Sequence, residues 1–150
     1  MAERVIVKQD RQFRTQFSAA DPEDIQSNVF EAIEDIHQLT PYGMLLCSLA
    51  SCTALVMHTY AQNHDIKLSE VELHMSYQRV FREDCENCEQ EKEYTEEIDE
   101  RILLEGDLSA SERENLLRVA HYCPIYIMMR EGIVINSSLI EGKVEDGPDD

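Results

Sequence analysis

The fold turns on residues 40–66, TPYGMLLCSLASCTALVMHTYAQNHDI. Thr40 is a good N-cap, because its hydroxyl can accept from an unpaired N–H of the first helical turn. Pro41 suits the first helical position, where its missing N–H costs nothing. The helix then carries the longest apolar stretch of the chain, Met44 to Met57, interrupted by Ser48, Ser51 and Thr53. A membrane span needs ~20 consecutive apolar residues, which this stretch does not supply. A helix apolar on nearly all sides is expected to be enclosed by protein on most faces.

Working outward, Val5 and Val7 alternate with polar residues, and Phe13, Thr15 and Phe17 do so again after a polar turn at Gln9-Asp10-Arg11. That is a β-hairpin pattern. Residues 19–38 are acidic with scattered Val29, Phe30, Ile33 and Ile36, and are expected to hold a third strand and a loop. Beyond the helix, Val71, Leu73, Met75 and Tyr77 alternate as a half-buried strand. After an acidic loop, Tyr94, Ile98, Ile102 and Leu104 mark a second long strand, ended by Gly106-Asp107. Ser109 and Glu112 have the spacing of a capping box, and Leu116, Leu117 and Ala120 give the following helix its apolar stripe. Cys123-Pro124 breaks that helix and starts a short one that Gly132 stops. Ile133, Val134 and Ile135 are expected to begin a last strand ending near Gly142, before an acidic, frayed tail at 143–150. The expectation is one α+β domain over residues 1–150.

Composition narrows the function. The formal charge is −18, from 31 acidic against 13 basic residues. Such a surface repels phosphate backbones and anionic lipids, so neither nucleic acid nor membrane is expected as a partner. No glycine-rich phosphate loop is present, and no cofactor is expected. The opening MAERVIVKQD has charges where a secretory signal needs an apolar run, so a cytoplasmic location is expected. Five cysteines in such a chain argue for thiol chemistry, metal binding or inert packing, and against a disulfide framework.

Each cysteine has a plain alternative. Cys52, in the middle of the long helix, could pack as a small hydrophobe. Cys47 lies five positions earlier, a rotation of roughly 500° that leaves the two side chains ~140° apart. At most one of them faces a given site, and Cys47 keeps the plain reading. Cys123 stands at the N-cap of the short helix, where free N–H groups and the helix dipole lower a thiol pKa. It could equally be a simple helix-break residue. Cys85 and Cys88 form a Cys-x-x-Cys in the loop DCENCE. A metal reading of that pair lacks two ligands, since His64, His74 and His121 are scattered; a redox auxiliary or no special role remains open.

A metal-free peroxidase needs a reactive thiolate, a cation that keeps it ionised, and a second thiol that reaches the sulfenic acid before over-oxidation. Arg11 and Arg14, in or beside the hairpin turn, are the candidate cations, and Arg14 is the choice of the two. Apolar walls from Met44, Leu45, Leu49, Met128 and Met129 would favour organic hydroperoxides, because an alkyl chain gains by leaving water.

The quoted helix resembles the central helix of the OsmC/Ohr family, the osmotically inducible and organic hydroperoxide resistance proteins. AHYCPIYIMM, residues 120–129, resembles that family's second signature, Ala-x-x-Cys-Pro followed by an apolar helix. DCENCE, with the later LEGDLSASERENLLRVAHYCP, resembles an OsmC-like branch that carries a Cys-x-x-Cys loop. The likeness runs from about Thr40 to Ile135. It implies antiparallel sheets around a long buried helix, an intertwined homodimer with its sites at the subunit interface, Cys52 as peroxidatic thiol and Cys123 as resolving thiol. It also implies an organic hydroperoxide as substrate and an external dithiol as reductant.

The chain departs from the family pattern at two places. Tyr42 and Gly43 stand where relatives carry a first-turn acid, and Glu34 or Asp35 are the candidate replacements. Tyr126 stands where that branch has a histidine. These departures favour a rival, a catalytically silent protein of the same fold that binds a small apolar ligand. A third possibility is a metal or redox-sensing module at Cys85 and Cys88.

Overall fold

The computed structural model describes residues 3–81 and 94–142. Cys85 and Cys88 lie outside these residues. Two strands, β1 (Glu3–Asp10) and β2 (Thr15–Ala19), form the expected hairpin. Its turn lies later than the sequence pattern placed it. The Asp10 carboxylate accepts from the Gln12 and Arg14 N–H groups at 2.9 and 3.1 Å, and Phe13 turns the chain with φ 63°.

The long helix α1 (Pro41–Asn63) starts as expected, with the Thr40 hydroxyl accepting from the Gly43 N–H at 3.1 Å. A cap of this kind is worth about 1 kcal/mol. Two long strands, β4 (Lys67–Phe81) and β5 (Tyr94–Asp107), pair antiparallel. A β-bulge between Leu68 and Glu70 moves the inward alternation from even to odd residues, so Leu68 and then Val71, Leu73, Met75 and Tyr77 face the core. Gly106 lies against this bulged segment. A Cβ there would stand 2.1 Å from the Lys67 carbonyl oxygen, and its φ of +146° is glycine territory. Helices α2 (Ala110–Ala120) and α3 (Pro124–Glu131) follow, α2 opened by the Ser109–Glu112 capping box.

Among the described residues there is one antiparallel sheet, ordered β3-β2-β1-β4-β5 with β3 at Glu31–Ala32 and β5 at one edge. The helix α1 lies across one face of it. Leu46, Ala50, Ala54, Met57 and Ala61 pack there against Val5, Val7, Val71, Leu73 and Met75. Leu116 and Ala120 of α2 and Cys123 close the core. Truncating a buried leucine in such a core costs roughly 2–5 kcal/mol.

The expected third strand is present as β3 (Glu31–Ala32), two residues long, followed by a single 3₁₀ turn at Ile36–Gln38. Three expectations need correction. Val119 faces the core, whereas Leu117 is exposed, because a continuous α-helix turns residue 117 to the solvent side. Within one chain α1 is not enclosed on most faces: Leu45 and Leu55 are exposed, since one sheet can cover only one side of a helix. Residues 133–142 form no strand; Val134 is 83% and Leu139 100% exposed. Among the described residues no strand pairs with them, and their apolar side chains enter no core there.

His58 is the one fully enclosed imidazole. Its Nε2–H donates to the Gln9 carbonyl at 2.8 Å, while its buried Nδ1 has no partner. Burial lowers its pKa from the ordinary 6.5, outweighing the nearby carboxylates of Asp10 and Glu70. The unfolded chain therefore takes up a proton near pH 6.5 while the folded chain resists it. Stability is full above that pH and declines as pH falls below it. Thermal unfolding followed from neutral to mildly acidic pH should show this decline, and His58→Gln should flatten it; an unchanged slope in the variant would refute the assignment.

Candidate functional site

A residue stripe on α1 looks along the β4–β5 end of the sheet, where Tyr42 stacks on Tyr77 with ring centroids 4.5 Å apart. Tyr42, Leu45, Leu49 and Cys52 recur at helical spacing and share one face. The first three line a cavity of about 530 Å³ between α1, β5 and α3. Across from them stand Ile98 and Glu100 of β5 and Tyr126 and Met129 of α3. Of the apolar walls expected, Leu45, Leu49 and Met129 are present, while Met44 and Met128 are not in the lining.

Cys52 is half-buried at the inner end of this stripe, and Cys123 is 0% exposed beside it. Both are free thiols, 71 residues apart in sequence, and the fold brings them close enough for Cys123 to act on the Cys52 proton. The Cys52 thiol is raised above the ordinary 9.0, first by burial and then by the neighbouring Cys123 thiol, which favours its protonated form. The Ile125 N–H opposes both by donating to the Cys52 sulfur.

Here the structure reverses an expectation. The open N-terminus of α3 serves Cys52 and not its own N-cap residue, because Cys123 makes no side-chain cap hydrogen bond. Pro124 directs the cap thiol inward while the next N–H of the helix reaches the neighbouring helix. Cys47 packs in the core on another face, and burial pushes its thiol up to about 11.

The candidate cations lie elsewhere within one chain. The Arg14 guanidinium pairs with Asp10 at 2.7 Å in the hairpin turn, and the Arg11 carbonyl accepts from Gln62 at 2.8 Å. Among the described residues no hydrogen bond or ion pair joins either arginine to a thiol. The candidate replacement acids are also occupied or remote. Asp35 caps the 3₁₀ turn by accepting from the His37 N–H at 2.9 Å, and Glu34 is exposed. Tyr126 stacks on His121 with ring centroids 5.0 Å apart.

Two features escaped the sequence reading. Arg79 stands at the cavity rim, donating to the Tyr42 hydroxyl at 3.2 Å and lying 4.8 Å over the Tyr94 ring. Nothing in the sequence pattern marks it, since only the register of β4 brings it to Tyr42. Glu96 and Glu100 fall on the inward face of β5, the latter between Ile98 and Ile102. The alternation of that strand is a readable signal for Glu100: an acid occupies a slot where apolar residues precede and follow. Among the described residues no group of three or more potential ligands could hold a metal.

A family model described as OsmC-like protein matches residues 33–138. No curated protein matches the chain by sequence. Among solved structures, an OsmC-like hydroperoxide resistance protein from Jannaschia sp. CCS1 is similar with a TM-score of 0.55 and 12% identity, covering 97% of this chain and 95% of that one. An organic hydroperoxide resistance protein OsmC from Legionella pneumophila has a TM-score of 0.45 and 16% identity, covering 77% and 81%. The first of these likenesses shows the fold.

The three described thiols should differ in reactivity. Iodoacetamide at mildly alkaline pH, followed by peptide mapping, should label Cys52 ahead of the buried Cys47 and Cys123, with a rate that rises roughly tenfold per pH unit as thiolate forms. Preferential labelling of Cys123 would contradict the arrangement around α3.

Proposed function

This chain belongs to the OsmC-like protein family, and on that premise we propose that it is a thiol-dependent peroxidase that reduces organic hydroperoxides. The observation that carries the reading is the nearness of Cys52 to Cys123, one helical turn from Leu49 in the cavity wall. In the proposed reaction the Cys52 thiolate attacks the distal peroxide oxygen, an alcohol leaves, and sulfur becomes a sulfenic acid. The Cys123 thiol condenses with it, releasing water and forming a disulfide, and an external dithiol restores both thiols. The nearness of the two thiols keeps the resolving step short. The lining of Leu45, Leu49, Ile98 and Met129 suits an alkyl chain better than hydrogen peroxide alone.

The working form is a homodimer in this reading. The exposed run of Ile133, Val134, Ile135, Leu139 and Ile140 supports it, since nothing among the described residues covers these side chains and a second copy would. Arg14, tied to Asp10 in its own chain, serves a thiol only as a group brought by that second copy.

One equivalent of an organic hydroperoxide should convert Cys52 and Cys123 to a disulfide, read by mass spectrometry with peptide mapping. Cys52→Ser should abolish peroxide consumption, and Cys123→Ser should allow one turnover before over-oxidation of Cys52 to sulfinic acid. Undiminished consumption by Cys52→Ser would sink the mechanism. The raised Cys52 thiol favours a second reading, a silent binder of a small apolar ligand, which unchanged thiols after peroxide treatment would support.

Truncation after Gly132 should convert the dimer to monomer in sedimentation velocity. A wild-type chain that sediments as a monomer at high concentration would overturn the dimeric reading.

A further inference from the structure

Glu100 occupies a place that β5 otherwise gives to apolar side chains. Ile98, Ile102 and Leu104 share its face and pack against the core. Its neighbour across the ladder is Met75, which is buried. One carboxylate oxygen, Oε1, is itself buried and has no hydrogen-bond partner. A carboxylate ion in such a place is costly, and the group keeps its proton instead. Burial accordingly pushes the Glu100 carboxyl above the usual carboxylate range.

The other charged groups of the cavity do not offer the same service. Glu96 accepts from the Tyr77 hydroxyl at 2.6 Å and lies 3.9 Å from the Arg79 guanidinium. Arg130 lines the cavity, but among the described residues no ion pair links it to Glu100. Of the described acids that line the cavity, Glu100 is the one with a buried, unpartnered oxygen.

It also faces the right place. Leu49, one helical turn before Cys52, lines the cavity together with Glu100. So does Tyr126, next to the Ile125 whose N–H meets the Cys52 sulfur. An alkyl group lying among Leu45, Leu49 and Met129 has the β5 wall, with Glu100, across the cavity from it.

Resting on the peroxidase reading, we propose that the Glu100 carboxyl protonates the alcohol that leaves when Cys52 attacks a hydroperoxide. The Cys52 thiolate supplies an electron pair to the distal oxygen, and the S–O bond forms as the O–O bond breaks. The departing RO⁻ takes the bonding pair and receives the Glu100 proton, giving ROH and a carboxylate. Sulfur is oxidised by two electrons and the peroxide is reduced by two. Solvent then returns a proton to Glu100, which a buried, unpaired carboxylate takes up readily.

Two oxidants separate this role from a structural one. tert-Butyl hydroperoxide expels a strongly basic alkoxide that needs a proton, whereas peracetic acid expels acetate, which does not. In stopped-flow measurements of Cys52 oxidation, Glu100→Gln should slow reaction with tert-butyl hydroperoxide by roughly 10²-fold or more and leave peracetic acid within about twofold. Equal losses with both oxidants, or no loss with either, would overturn the assignment while leaving the peroxidase reading in place. A wild-type protein inert to tert-butyl hydroperoxide would overturn the peroxidase reading and this role with it. Should Glu100→Gln fail to fold, Glu100→Leu, which removes the buried polar atoms outright, makes the same comparison.

Discussion

The arrangement of this molecule depends on a helix with more apolar surface than its sheet can cover. One stripe of α1 is consumed by the core, where Leu46, Ala50 and Met57 meet the inward side chains of β1 and β4. What is left over, the stripe from Tyr42 through Leu45 and Leu49 to Cys52, must be covered by something else. The pair α2 and α3 covers its inner end, and the outer end becomes the wall of a cavity. The reactive thiol therefore sits at the boundary between solid packing and open space, half-buried by necessity. A sheet broad enough to wrap the helix would have left no room for a substrate.

The chemistry of Cys52 is a contest between opposing influences. Burial and the neighbouring Cys123 thiol hold the proton on, and the Ile125 N–H at the head of α3 pulls the other way. Within one chain the first pair wins. That balance ties the thiol's readiness to the helix break at Cys123-Pro124, because the free N–H exists only where α3 begins. It also gives the dipeptide two duties. The cysteine side chain supplies the partner sulfur, and the proline starts the helix whose next amide steadies the first.

Much of this was legible in the residues. Thr40-Pro41 marks the start of α1, Ser109 with Glu112 the start of α2, and Gly132 the end of α3, because caps and breakers act through local hydrogen bonds that travel with the sequence. The union of Cys52 with Cys123 was implied by family likeness alone, since no local rule joins residues that far apart. Three misreadings share a cause, dependence on distant partners. Residues 133–142 have the composition of a strand, but a strand exists only beside another. The N–H groups of α3 act on a thiol from a different helix, which the position of Cys123 could not disclose. Arg79 reaches Tyr42 only through the register of β4 against its neighbours. Glu100 is the instructive exception, because the alternation of β5 exposes it to any reader who checks the inward slots for acids as well as for leucines.

Among the described residues the strand β5 (14 residues) ends the sheet, and one side of its backbone ladder is unpaired there. An edge of that length is a template for adding a foreign strand. Along it run Glu96, Glu97, Asp99, Glu105 and Asp107, relieved only by Arg101. Two copies that approach edge to edge bring like charges together, and the repulsion reaches about a Debye length into solvent. The acidic surface thus acts as a gatekeeper whose strength is set by the medium. Dilute neutral buffer keeps the edge private, whereas high salt or acid dissolves the guard and leaves the fibril-forming geometry beneath it open.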